Sequence, residues 1–164
     1  MTTTYVLTRA MVVLAVAAPM LVRAQSTNGR VTPELRIDAI VNEHRTAVHA
    51  GAGIQVPAGS YARVGVIGAA GADAVRAGAE VSGRLDLIGR FLFDPFRQNR
   101  WALSAGAGVS VRAHVGERVR PWLVTVLDLE GPLNSSGFAP AFQLGLGGGV
   151  RLGGGLRWGA RSAR

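Results

Sequence analysis

The sequence predicts an all-β chain: an eight-stranded antiparallel up-and-down transmembrane β-barrel. Three observations predict it. Apolar and polar residues alternate along most of residues 34–162, and in a strand successive side chains point to opposite faces. The alternation falls into eight segments separated by Gly-, Pro- and Asn-rich breaks, and a tilted strand needs only about 9–11 residues to cross a bilayer. An export-type leader precedes them.

The leader carries Arg9, then the uncharged run 10–22, then Val22-Arg23-Ala24. That is the order of a cleaved signal peptide, with cleavage expected after Ala24. Its apolar run is about 13 residues, whereas a spanning helix needs about 20. Residues 25–33 read as a flexible lead-in, and 34–164 as a single barrel domain. The chain has no Cys, which excludes disulfide, zinc–thiolate and thiol-nucleophile chemistry. The net charge is +8, and all 18 basic residues are Arg. These arginines alternate with apolar residues instead of forming a block or a helix face, so no nucleic-acid partner is expected.

The elements follow in order. The first strand, 34–42, sets Leu35, Ile37, Ala39 and Val41 against Glu34, Arg36, Asp38 and Asn42. After a turn at Glu43-His44-Arg45, strand 46–56 sets Val48, Ala50, Ala52, Ile54 and Val56 outward and His49, Gly51, Gly53 and Gln55 inward. Pro57-Ala58-Gly59-Ser60 has turn composition. Strand 61–71 carries Ala62, Val64 and Val66 against Tyr61, Arg63 and Gly65, and Gly71-Ala72-Asp73 is expected to turn the chain. Residues 76–87 have one ionic face (Arg76, Glu80, Arg84, Asp86) and one apolar face (Ala79, Val81, Leu85, Leu87), and the strand may run on to Phe93.

The run Asp94 to Arg100 breaks the pattern at Pro95, which cannot donate to a central ladder. Strand 101–115 is the most regular, with Trp101, Leu103, Ala105, Ala107, Val109 and Val111 opposed to Ser104, Gly106, Gly108, Ser110, Arg112 and His114. Gly116-Glu117-Arg118 turns. Strand 119–130 sets Leu123, Leu127 and Leu129 against Val124, Val126, Asp128 and Glu130, with Pro121 placed at its start or at a bulge. Residues 131–137 form a loop. Strand 138–151 sets Phe138, Phe142, Leu144 and Leu146 against Gln143, Gly145 and Arg151. Gly153-Gly154-Gly155 then turns into a short last strand with Leu156 and Trp158 opposite Arg157.

An eight-stranded barrel is just wide enough for side chains to fill its interior. The expected lumen network is Glu34, Arg36, Asp38, Arg63, Arg76, Glu80, Arg84, Asp86, Arg112, Asp128, Glu130, Arg151 and Arg157. Buried charges without partners are costly, so these should pair. Inward glycines leave room for long Arg side chains. Phe91, Phe93, Trp101, Trp122, Phe138 and Trp158 fall near strand ends, with Phe96 and Tyr61 close by. Interfacial aromatic girdles occupy such positions.

With its leader, eight alternating strands, short connections and ionic interior, the chain resembles the small outer-membrane β-barrels of the OmpA-like and OmpX-like kind. The resemblance covers residues 34–162 and rests on architecture, without a diagnostic motif. It implies an outer-membrane location, contact with outer-membrane lipid and with the barrel-insertion machinery, and a monomer.

Candidate chemistry is sparse. His49 and His114 fall on inward faces, but no HxH or HExxH spacing supplies a metal set. Ser110 and His114 share a face about 13 Å apart along an extended strand, too far for a nucleophile–base pair. The glycine-rich stretch 145–155 lacks GxGxxG and GK[ST] and alternates with Leu and Val. No cofactor, metal or catalytic residue is expected. The expected role is structural or interactive, in envelope integrity or surface contact. Alternatives are a narrow channel or ligand-binding barrel, and a lipid-modifying enzyme.

Overall fold

The structure, a computed structural model, describes residues 31–43, 45–75, 78–96, 98–114 and 119–158. The leader and lead-in up to residue 30 lie outside them. So do His44, Arg76, the turn at 116–118 and the last six residues.

Eight strands form one closed antiparallel barrel in sequence order. They are β1 (Thr32–Val41), β2 (Thr46–Pro57), β3 (Ala62–Val75), β4 (Gly78–Leu92), β5 (Ala102–His114), β6 (Arg120–Glu130), β7 (Phe138–Leu146) and β8 (Val150–Trp158). β8 closes on β1, with Val41 opposite Val150 and Glu34 opposite Arg157. Closure leaves no unpaired edge.

The ladder climbs as it goes round. From Val41, successive cross-strand partners lead through β8, β7, β6, β5, β4 and β3 to Val56 of β2. Val56 stands one residue past Gln55, the partner of Thr32. The circuit thus returns to β1 at Val31, ten residues below its start. Over eight strands that stagger sets a tilt of about 40° to the barrel axis, from the ~3.3 Å rise per residue and ~4.8 Å strand spacing.

Alternation in the sequence becomes inside and outside. β6 reads exposed, buried, exposed, buried from Leu123 to Glu130. Leu35, Ile37, Leu87, Leu103, Leu123, Leu127, Leu144, Leu146 and Leu152 project outward and exposed. The lumen takes the charged residues together with a small apolar cluster of Ile67, Ile88, Val124 and Val126. The molecule is therefore inside-out relative to a water-soluble β-sandwich, whose apolar residues face inward.

Several expectations need correction. Gly71-Ala72-Asp73 does not turn: β3 runs on to Val75, which pairs with Gly78, leaving only residues 76–77 as the connection. The alternation simply continues, with Asp73 completely buried in the lumen. Gly153-Gly154-Gly155 is likewise interior to β8, and the turn is Gly147-Gly148-Gly149. These three hold φ angles of 158°, 69° and 145°, conformations that L side chains rarely adopt. β7 accordingly ends at Leu146, and Arg151 belongs to β8. Pro121 is the second residue of β6, as its missing N–H favours.

The inward glycines do two jobs. A Cβ on Gly65 would sit 2.7 Å from Arg90 Nη1, and one on Gly153 would strike the Asp38 carboxylate and sit 2.9 Å from Arg36 Nη2, so the first makes room for a guanidinium group and the second for an ion pair. At Gly71 and Gly108 a Cβ would strike the backbone carbonyls of Val48 and Leu87. Those glycines let neighbouring strands approach across the strongly coiled sheet.

Candidate functional site in the barrel lumen

Two ionic groups fill the lumen, one towards each end. On β3 the inward order is Arg63, Gly65, Ile67, Ala69, Gly71, Asp73, and on β4 it is Ser82, Arg84, Asp86, Ile88, Arg90. An isoleucine thus separates the charged positions on both strands, and the cluster of Ile67, Ile88, Val124 and Val126 forms an apolar tier between the two groups. The end where β1 begins and β8 finishes is called here the terminal end, and the opposite one the far end.

The terminal-end group centres on Arg157. Its Nε donates to Glu34 at 2.9 Å, Nη2 to Asp128 at 2.8 Å and Nη1 to Glu130 at 3.1 Å. Arg90 Nε donates to Asp128 at 2.9 Å, and Arg63 Nη1 to Glu130 at 3.3 Å. Gln55 donates to Glu34, and Gln143 to Asp128 at 3.1 Å. Three carboxylates face three arginines, so the group is neutral and heavily cross-linked. A small recess in the barrel wall beside Glu34, Arg36, Asp128, Gln143 and Arg157 holds about 10 Å³, enough for about one water.

Arg36 links the two groups. It donates to Asp38 through Nε at 2.9 Å and Nη2 at 2.6 Å, and also to Gln143 and Glu34. In the far-end group Arg84 pairs with Asp38 and lies 3.1 Å from Asp86, and Arg151 Nη2 donates to Asp86 at 2.5 Å. Beyond them Asp73 collects cations and donors: Ser82 Oγ at 2.6 Å, His114 Nε2 at 2.6 Å, Arg45 Nη1 at 3.6 Å and Arg112 Nη1 at 3.9 Å. His49 Nε2 meets the Ser82 hydroxyl at 2.7 Å. Ser82 gives its proton to Asp73, so it is not primed as a nucleophile by His49. Ser110 lies opposite Asp86 and Trp122, and His114 opposite Ser82, so the Ser110 and His114 of β5 do not meet.

Of the residues expected in the lumen network, Glu34, Arg36, Asp38, Arg84, Asp86, Arg112, Asp128, Glu130, Arg151 and Arg157 are buried there, and Arg63 is part-buried at the terminal rim. Glu80 is not: it is exposed at the far end. It sits directly opposite Asp73, and two like charges so placed repel. Asp73 holds the buried partners, which leaves Glu80 to solvent. Arg76 lies outside the described residues. The lumen also contains Arg90 and Asp73, which the sequence reading missed. Arg90 carries the same parity as Arg84 and Asp86, and that signal could have found it. Asp73 was hidden by its glycine-rich neighbourhood.

The aromatics are one-sided. Phe91, Phe93, Trp101, Phe138 and Trp158 all stand at the terminal end, with Tyr61 and Phe96. They associate: Phe91 stacks on Tyr61 at 6.1 Å and meets Phe93 edge-on at 5.7 Å, and Phe138 meets Trp158 edge-on at 5.0 Å. Trp122 alone of the expected set is at the far end, near the start of β6. The far-end connections are residues 42–45, 76–77, 115–119 and 147–149, all short.

The comparisons speak to the fold. No protein-family model matches the chain, and no curated protein matches it. Among solved structures it is similar to the N-terminal β-barrel domain of Pseudomonas aeruginosa OprF, with a TM-score of 0.55 and 11% identity, covering 80% of this chain and 100% of that one. The chain therefore shares the fold of that domain, a closed eight-stranded antiparallel barrel.

Proposed function

We propose that the protein is an outer-membrane β-barrel of the OmpA-like kind, spanning the bilayer with its strands and acting as a structural or surface-interacting component of the envelope. The observation that carries this reading is the inversion of polarity: a belt of exposed Leu, Val and Phe surrounds a lumen packed with paired charge. In water that belt would be a large aggregation-prone surface, whereas against lipid it is the matching solvent. At ~40° tilt, ten strand residues rise about 25 Å along the axis, close to the apolar band of such barrels. The aromatic cluster at the terminal end marks one interface. The fold likeness to the OprF barrel domain agrees with that location.

In this reading residues 1–24 direct export, the insertion machinery assembles the barrel, both chain termini of the barrel domain lie on the periplasmic side, and the protein is a monomer in contact with outer-membrane lipid. The cross-linked terminal-end ion pairs favour a plug over a pore, and the short far-end connections favour an envelope role over adhesion by long loops. No catalytic activity is assigned. Expression in a Gram-negative host tests the proposal. The mature protein should fractionate with outer membranes, resist carbonate extraction and show heat-modifiable gel mobility. Recovery as soluble periplasmic protein would refute it. Planar-bilayer recording should show no steady conductance, and a reproducible unitary conductance would favour the channel alternative.

A further inference from the structure

At the far end the lumen opens into a cup of about 390 Å³, lined by Asn42, Glu43, Arg45, Arg112, His114, Arg120 and Trp122. Its arginines stand in an unusual register. Arg84 pairs directly with Arg112 across β4–β5, and Arg112 directly with Arg120 across β5–β6. Like charges directly opposite one another destabilise a sheet, so three in a row call for compensation. Arg84 has two carboxylate partners, Asp38 and Asp86, although its Nη1 has no hydrogen-bond partner among the described residues. Among the described residues Arg112 has only a distant share of Asp73, at 3.9 Å, and Asp73 is already engaged by Ser82 and His114. The Arg112 side chain is 7% exposed, and its Nε has no hydrogen-bond partner among the described residues. Arg84, Arg90 and Arg151 also carry unpartnered guanidinium nitrogens, but each has a carboxylate within 3.1 Å, which Arg112 lacks. Orphaned buried donors are rare and costly. Arg120 is exposed at the rim of the same cup.

We propose that this cup is a binding site for a phosphate group. A phosphate presents several acceptor oxygens on one small anion and matches guanidinium forks better than chloride does. Arg112 supplies the buried floor, Arg120 and Arg45 the walls, and Trp122 an apolar flank. Because the cup opens at the barrel rim, it is accessible both to free phosphate and to phosphate on a lipid headgroup. This inference rests on the far-end geometry and holds whether or not the barrel's envelope role is as proposed.

The test uses the refolded mature chain in neutral detergent. Inorganic phosphate is titrated by calorimetry against chloride at equal ionic strength, and native mass spectrometry follows retention of phosphatidic acid against phosphatidylcholine. Saturable phosphate binding, at least tenfold weaker in Arg120→Gln and at least threefold tighter in Glu43→Gln, supports a site for the free anion. Selective retention of phosphatidic acid, lost in Arg120→Gln, supports a site for headgroup phosphate. Arg120 and Glu43 are both exposed, so neither variant threatens folding, and unchanged heat-modifiable mobility verifies this. No binding of either probe, or binding indifferent to both variants, overturns the proposal. Membrane fractionation reports separately on the envelope reading.

Discussion

Replacing Arg157 with Met would test the lumen most severely. The substitution keeps the aliphatic length and removes the one side chain among the described residues that bonds three carboxylates at once, Glu34, Asp128 and Glu130. Removing one partner of a buried ion pair costs about 3–5 kcal/mol, because the remaining charge is left uncompensated. Here each carboxylate keeps some support: Asp128 from Arg90 and Gln143, Glu34 from Gln55 and Arg36, Glu130 from Arg63. The loss should therefore fall at the lower end, about 3 kcal/mol, or roughly a hundredfold in the folding equilibrium. The assay is reversible urea unfolding of the barrel in lipid vesicles, followed by tryptophan fluorescence. A coupling with Glu130→Gln, measured as a double-mutant cycle, isolates the pair. A destabilisation below about 1 kcal/mol, the range of exposed ion pairs, would refute a desolvated lumen.

Other outcomes follow from the same geometry. Arg84→Met should cost less than Arg157→Met in the same unfolding assay, since Asp38 keeps Arg36, Asp86 keeps Arg151, and the opposition to Arg112 is relieved. Gly108→Ala should destabilise by about 1–3 kcal/mol as an overpacking change against the Leu87 carbonyl. Gly68→Ala, which meets nothing within 4 Å, should stay within about 0.5 kcal/mol; equal effects of the two glycine variants would contradict the lumen account. Single-tryptophan variants retaining Trp158 or Trp101, quenched by lipids brominated at graded depths from one leaflet at a time, should both report the terminal-end interface. Quenching of the two from opposite leaflets would contradict the one-sided girdle.

Much of this fold was written in period-two alternation. The strand count, the closing order and most of the inward set could be read because side-chain direction in a strand depends only on parity. The connections were harder, since glycine serves two purposes in a tightly coiled barrel. Gly147 to Gly149 turn the chain because they adopt positive φ. Gly153 and Gly155 lie mid-strand because Arg36 and the β1 backbone press against them. A single sequence contains identical letters for both. Asp73 was lost for the same reason, standing near Gly71 in what looked like a turn. Glu80 was misplaced because parity gives direction but not height: it points inward by pattern, yet sits at the rim opposite Asp73. The far-end cup was not legible at all. It depends on register, which brings Arg84, Arg112 and Arg120 into one row from three strands.

The central claim is that the outer belt meets lipid while the lumen is closed by paired charge. The chain has no cysteine, so single cysteines can be placed along β4 at Val81, Leu85 and Leu87 outward and at Ser82 and Ile88 inward, then spin-labelled in reconstituted vesicles. The account predicts that the three outward labels collide freely with oxygen and hardly with a water-soluble nickel chelate, while the two inward labels are immobile and shielded from both. Outward labels relaxed by the nickel chelate, or inward labels as accessible as outward ones, would contradict it.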